Sequence, residues 1–160
     1  MTIRRLNHAV LYVRDARRSA AWFGDVLGFE VVADMFDGRA AFLRADGSTN
    51  DHDLGLFSVG PDAPSPRPGT VGLYHLAWQV ETIEQLAAVR RRLLDHGALV
   101  GESDHGVSKS LYARDPDGIE FEVMWAVPRE SWPDGPFTAR LDLDAELARW
   151  AGVDTADQPA

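Results

Sequence analysis

Cysteine is absent from the 160 residues, so the chain has neither a disulfide framework nor a thiolate, and any metal must be held by histidine and carboxylate. Long apolar runs are missing too. No stretch approaches the roughly 20 apolar residues of a membrane span, and the opening Met1-Thr2-Ile3-Arg4-Arg5-Leu6 lacks the apolar segment of a secretory signal. The expectation is a soluble cytoplasmic protein with no membrane partner. Basic residues are outnumbered, 16 Lys and Arg against 25 Asp and Glu, for a formal charge of −9 and a pI near 4.9. Phosphate backbones call for a basic stripe, so a nucleic-acid partner is not expected. What remains suits one domain over residues 1–160 with a sizeable core, since domains average roughly 100–150 residues.

The chain repeats itself. In a first unit, about residues 5–60, a strand at 5–13 meets Asp15, a good N-cap. A helix then presents Ala16, Ala20, Phe23 and Leu27 before Gly28 stops it. Apolar runs at Phe29–Val32, Ala40–Leu43 and Leu54–Val59, parted by Asp37-Gly38 and Asp46-Gly47, complete a β-α-β-β-β order. A second unit, about 71–127, has a strand at 72–80 and a Thr82/Gln85 capping box. Its helix stripe is Ile83, Leu86, Val89 and Leu93, closed by Gly97. Strands at Ala98–Val100, Ser110–Ala113 and Ile119–Val127 follow, the last two joined by the tight turn Asp115-Pro116-Asp117-Gly118. His8 and His75 are 67 residues apart, Gly28 and Gly97 69, and the strand ends near Ser58 and Glu122 64, which indicates a duplicated unit. A proline-rich linker at 61–70 connects the two. A tail at 128–160 carries Leu143, Leu147 and Trp150 at helical spacing, to dock on the body or on a partner subunit, and is expected to fray from Asp154.

Alternation along a strand puts His8 on a face with Leu6, Val10 and Tyr12, and His75 on one with Ala77 and Gln79. The opposite faces, Ala9, Leu11, Val13 and Leu76, Trp78, Val80, are continuously apolar and suit packing under the helices. A lone histidine on such a strand is more often a core residue than a ligand. Two at matching repeat positions, joined by the carboxylate of Glu122, form instead a two-histidine, one-carboxylate set, which favours Fe(II) with open coordination positions and Mn(II) as the alternative. Glu120 shares the strand face and competes for the carboxylate role. Aligned by strand ends, the first unit has Ser58 where the second has Glu122, so a fourth ligand is missing. Three ligands leave up to three of six octahedral positions for substrate and dioxygen.

The run from His105 through Tyr112, Arg114-Asp115-Pro116-Asp117-Gly118 and Glu122 resembles the signature of extradiol ring-cleavage dioxygenases. These are members of the vicinal oxygen chelate (glyoxalase/bleomycin resistance/dioxygenase) superfamily, and the likeness extends over about residues 5–127. Ser103, two positions before the histidine, departs from the family's usual residues. The resemblance selects Glu122 over Glu120. It implies an α+β fold in which two βαβββ units form one open mixed β-barrel around a metal site, with an extra C-terminal segment. It further implies His8, His75 and Glu122 as Fe(II) ligands, His52 as acid-base histidine near dioxygen, and His105 and Tyr112 as partners of the catechol oxygens. His96, at a helix end, needs no catalytic role. The implied activity is insertion of O2 into a small aromatic diol by a homodimeric enzyme. Two other readings are a metal-dependent lyase, isomerase or epimerase, and a drug-binding resistance protein without catalysis. Trp22, Phe36, Phe42, Trp78 and Trp125 supply aromatic surface, most of it expected in the core.

Overall fold

The computed structural model describes residues 2, 3 and 5–156, and the chain divides into two compact units, Met1–Arg67 and Pro68–Ala160. In the first, β1 (Ala9–Val13), α1 (Ala16–Leu27), β2 (Glu30–Met35), β3 (Ala40–Arg44) and β4 (Leu54–Ser58) follow in order. Two side chains start α1 by accepting amides that have no partner within a helix: Asp15 accepts the Arg18 N–H at 2.9 Å and Ser58 Oγ the Ala16 N–H at 2.8 Å. Gly28, at φ 78°, ends it in a left-handed cap. The four strands make one open mixed sheet in the order β1-β4-β3-β2, with β1 and β4 parallel. Ala16, Ala20, Phe23 and Val26 bury the helix stripe, as do Leu11 and Val13 on β1, while Val10 and Tyr12 face outward. Burying each Leu, Val or Phe among them contributes about 1.5–3 kcal/mol.

The second unit repeats this plan with β5 (Leu76–Val80), α2 (Ile83–Asp95), β6 (Leu99–Asp104), β7 (Ser108–Arg114) and β8 (Glu120–Ala126), ordered β5-β8-β7-β6. The Thr82/Gln85 capping box forms, and Ile83, Leu86, Val89 and Leu93 are all buried. The duplication reaches its irregularities. A bulge interrupts β2 against β3 between Val31 and Ala33, and the same defect interrupts β6 against β7 between Leu99 and Gly101. Among the described residues, no helix is long and apolar enough to cross a membrane.

Three details differ from the sequence reading. Strands β1 and β5 begin at Ala9 and Leu76, four residues later than expected and each one residue after its histidine, with Ala9↔Leu54 and Leu76↔Phe121 as their first pairs. Of the aromatics expected mostly in the core, Trp125 is wholly buried, but Trp22, Phe42 and Trp78 are only partly covered and Phe36 is exposed. The tail is anchored beyond where fraying was expected. Its helix α3 (Leu143–Trp150) sits against α2, Trp150 packs on Trp125 with ring centroids 5.7 Å apart, and Thr155, buried, bonds the Glu81 carbonyl through both its amide and its hydroxyl. The tail therefore docks on its own unit, and the remainder of the segment expected to fray, residues 157–160, lies outside the described residues. Lys109, the sole lysine, is buried on β7 and joins this arrangement by pairing with Asp104 at 2.6 Å and with Glu146 of α3 at 3.3 Å.

The turn between β7 and β8 aims the strand that carries Glu122. Asp115, buried, accepts the N–H groups of Asp117 and Ile119 through Oδ1 at 2.9 and 2.8 Å. Burial pushes its carboxyl above the usual range, against the pull of the accepted amides, so what the turn draws from Asp115 is chiefly its acceptor oxygen. Asp115→Asn, which keeps an acceptor oxygen, is expected to hold the melting midpoint near that of the parent. Asp115→Ala should cost about 1–3 kcal/mol in urea titration, the penalty for two unsatisfied buried amides. Equal losses in the two variants would contradict this reading.

Candidate metal centre

Parallel pairing of β5 with β8 sets Ala77 opposite Glu122, so that His75, two residues before Ala77, shares its face with the carboxylate. His75 Nε2 lies 3.1 Å from Glu122 Oε2, with the side chains 24% and 12% exposed. An octahedral ion with bonds of about 2.1 Å holds adjacent ligands about 3.0 Å apart, so this spacing fits two neighbouring positions on one ion. His75 Nδ1 is buried with no hydrogen-bond partner among the described residues, so the proton of the neutral ring sits on Nε2, facing the Glu122 carboxylate, and must leave that nitrogen before it can hold a metal. Tyr112 of β7 stands in register with Glu122, its ring 5.7 Å from that of His75. Burial, with Glu122 and Tyr74 adding to it, pushes the Tyr112 phenol above its ordinary value, so the hydroxyl keeps its proton. That hydroxyl lies 2.9 Å from His105 Nε2. Glu120 is paired elsewhere, with Arg114 at 3.5 Å.

In the first unit His8 packs against His52, ring centroids 4.6 Å apart, and Phe42 meets His52 edge-on at 5.0 Å. His52 borders an open groove of about 560 Å³ with Val31, Ala33, Met35, Phe42 and Arg44, and its Nδ1 lies 2.9 Å from the exposed carboxylate of Asp51. A chain of hydrogen bonds fixes the His8 tautomer. The Asp53 carboxylate only accepts, so Asn50 turns its amide nitrogen there at 2.7 Å and gives a second proton to the Asn7 carbonyl at 2.8 Å. Asn50 Oδ1 then accepts from Arg5 at 2.7 Å and from Asn7 Nδ2 at 3.1 Å. Asn7 Oδ1 is left facing His8 Nδ1 at 2.9 Å and must accept its proton. The neutral ring thus keeps its lone pair on Nε2, the state a metal ligand needs.

The structure therefore brings His75, Glu122, Tyr112 and His105 together in one unit, and His8 with His52 in the other. Among the described residues, no three His, Asp or Glu side chains are gathered as one ligand set. Register also corrects the alignment by strand ends. Val10 faces Gly55 as Ala77 faces Glu122, and Phe42 faces Gly55 as Tyr112 faces Glu122. The first-unit counterpart of Glu122 is Gly55, with no side chain at all, whereas Ser58 caps α1. Sequence reasoning missed Asn7, Asn50 and Asp53. Asn7 beside His8 was the available signal, but the bonds to Asn50 bridge 43 residues and left none.

Residues 5–123 match the profile of the Glyoxalase/Bleomycin resistance protein/Dioxygenase superfamily. Catechol-2,3-dioxygenase of Bacillus subtilis (strain 168) is 34% identical over 128 residues, which cover 79% of this chain and 43% of that protein. Biphenyl-2,3-diol 1,2-dioxygenase 3 of Rhodococcus globerulus is 36% identical over 132 residues, 79% of this chain and 67% of that one. The chain thus spans less than half of the first relative and about two thirds of the second. A crystal structure of a glyoxylase/bleomycin resistance protein/dioxygenase domain from Frankia sp. EAN1pec superposes with a TM-score of 0.65 at 23% identity, over 79% of this chain and all of that one. At that identity the likeness is one of fold.

Asp53, which orients the His8 network, sets a pH dependence. Burial raises its carboxyl, but the Ala45 amide, Asn50 and Ser48 outweigh burial and hold it below the usual range. A carboxyl lowered on folding stabilises above its unfolded pKa, and that contribution is lost as pH falls through the folded value. Urea titrations stepped downward from about pH 5 are expected to show this loss in the parent and a shallower decline in Asp53→Asn. Parallel acid limbs would contradict the assignment.

Proposed function

This chain belongs to the glyoxalase/bleomycin resistance protein/dioxygenase superfamily, and on that footing we propose that it is an extradiol dioxygenase. It would insert O2 into a catechol-like aromatic diol at a non-haem Fe(II), with Mn(II) as the alternative metal. Membership of the superfamily and similarity to relatives named as dioxygenases favour an enzyme. The observation that carries the reading is the His75–Glu122 pair, spaced as adjacent ligands of one ion. His8, with Nε2 free of its proton, is the proposed second imidazole. Gly55 in place of a second carboxylate speaks against a four-ligand site of the lyase or epimerase kind and for open positions that take substrate. Assembly as a homodimer is part of the same proposal.

Bound iron supplies a shared centre through which a diol and dioxygen, slow to react directly because of spin, exchange electron density. The chain's own residues handle protons and position. Tyr112, protonated and half-buried, stands in register with Glu122 and would relay a proton to His105 Nε2, 2.9 Å from its hydroxyl. His52, held by Asp51 and seated on Phe42, is the proposed acid-base group on the groove side, where an aromatic ring gains contact with Phe42 and Met35. A proton held at a fixed atom in a dry pocket lowers the reorganisation that the reaction requires.

Protein loaded anaerobically with Fe(II) is expected to take up oxygen with substituted catechols and release a yellow ring-opened product. His8→Ala and Glu122→Ala should lose metal and activity together. Asn7→Ala, which frees the His8 ring, should weaken metal binding about 10–100-fold. A protein that holds iron yet consumes no oxygen across a broad catechol panel would overturn the proposal.

A further inference from the structure

We infer that Thr138, in the C-terminal strap that lies past the family-matched region, is a positioning residue that sets the tautomer of His105. Through His105 it sets the direction of the Tyr112 proton. The catalytic meaning of this inference rests on the dioxygenase reading, but the tautomer does not.

The assignment follows from counting protons. The Thr138 hydroxyl donates to the Phe137 carbonyl at 2.8 Å, and a carbonyl has no proton to return. With its proton committed, Thr138 Oγ1 can only accept from His105 Nδ1, 3.3 Å away. A neutral imidazole carries one N–H, so His105 Nε2 is a lone pair. The Tyr112 hydroxyl, 2.9 Å from Nε2, must therefore donate to it. Its own proton being spent, the Tyr112 oxygen is left as an acceptor for a hydroxyl proton of bound substrate. As that proton arrives on Tyr112 oxygen, the phenolic proton moves to His105 Nε2. The substrate becomes the anion, His105 the imidazolium, and Tyr112 is unchanged. The reverse transfer returns the proton to the opened product.

The strap is fixed tightly enough to act in this way. Asp104 and Ala139 exchange two backbone hydrogen bonds of 2.9 and 2.8 Å immediately beside the His105–Thr138 contact. Gly106 donates its amide to Asp104 Oδ1 at 2.7 Å, and its φ of +74° brings it so close that a Cβ there would lie 2.7 Å from Pro133 and 3.3 Å from Phe137. Lys109 holds the same Asp104 carboxylate and reaches Glu146 of α3. The loop that carries His105 is thus clamped on one side by β7 and on the other by the tail. A separation of 33 positions between His105 and Thr138 keeps this contact invisible to local sequence patterns.

Nitrogen-15 NMR of the metal-free protein in mildly alkaline buffer reads the tautomer directly, with His105→Gln used to assign the resonances. Parent protein is expected to carry the His105 proton on Nδ1, the reverse of the preference of a free histidine side chain. Thr138→Val, isosteric but without an acceptor, should shift the population toward Nε2–H. Thr138→Ser should restore it, a rescue that bulk packing alone would not produce. In iron-loaded protein the same valine variant is expected to lower kcat about tenfold while KM and metal affinity hold. Nδ1–H in the parent with rescue by serine supports the inference even if no catechol is turned over, which would count against the dioxygenase reading alone. Nε2–H in the parent, or an unchanged tautomer in Thr138→Val, would overturn it.

Discussion

The parallel pairing of β5 with β8 is the constraint on which the candidate centre depends. A crossover through α2 and two further strands returns the chain to lie beside its own first strand, and the register Ala77↔Glu122 then decides what meets His75. A shift of one residue would turn Glu122 into the helix-packed core and present Phe121 or Val123 instead, both now buried. Register here is pinned from two sides, by the apolar alternation of β8 and by the Asp115 turn that feeds it. The His75–Glu122 pair is thereby a consequence of how the sheet buries its hydrophobic face.

The two repeats show what duplication preserved and what it released. Strand order, the parallel closing pair, the capped helix and the bulge recur in both units. At the position opposite the bulge, however, Phe42 stands in one and Tyr112 in the other, and beside them Gly55 and Glu122. One unit became apolar there, the other polar and titratable. Their histidines also differ in how they are held: the His8 ring is orientated by a directional network ending on Asp53, while the His75 ring has an unpartnered Nδ1. Proton control in the first unit comes from neighbouring loops, and in the second from a strap appended to the repeat.

Much of the scaffold was legible because its signals are local. Period-two alternation marked β1 and β8, Thr82 and Gln85 announced the start of α2, and Gly28 and Gly97 marked the ends of α1 and α2. Properties set by distant partners were not legible. Composition gives the ends of an apolar run, whereas a strand ends where its partner's hydrogen bonds end, which is why alignment by ends chose Ser58 over Gly55. Strands β1 and β5 likewise start four residues inside the runs expected for them, one residue past each histidine. The docking of Trp150 on Trp125 and of Thr155 on Glu81 joins segments far apart in sequence, so the tail read as a frayed end where it is in fact a clasp.

The most direct test is X-ray absorption on the ferrous-loaded protein, which counts the imidazoles bound to iron without reference to turnover. Two imidazoles and a carboxylate are expected, falling to one imidazole in His8→Ala. A spectrum with one imidazole in the parent, unchanged by that substitution, would contradict the two-histidine, one-carboxylate centre.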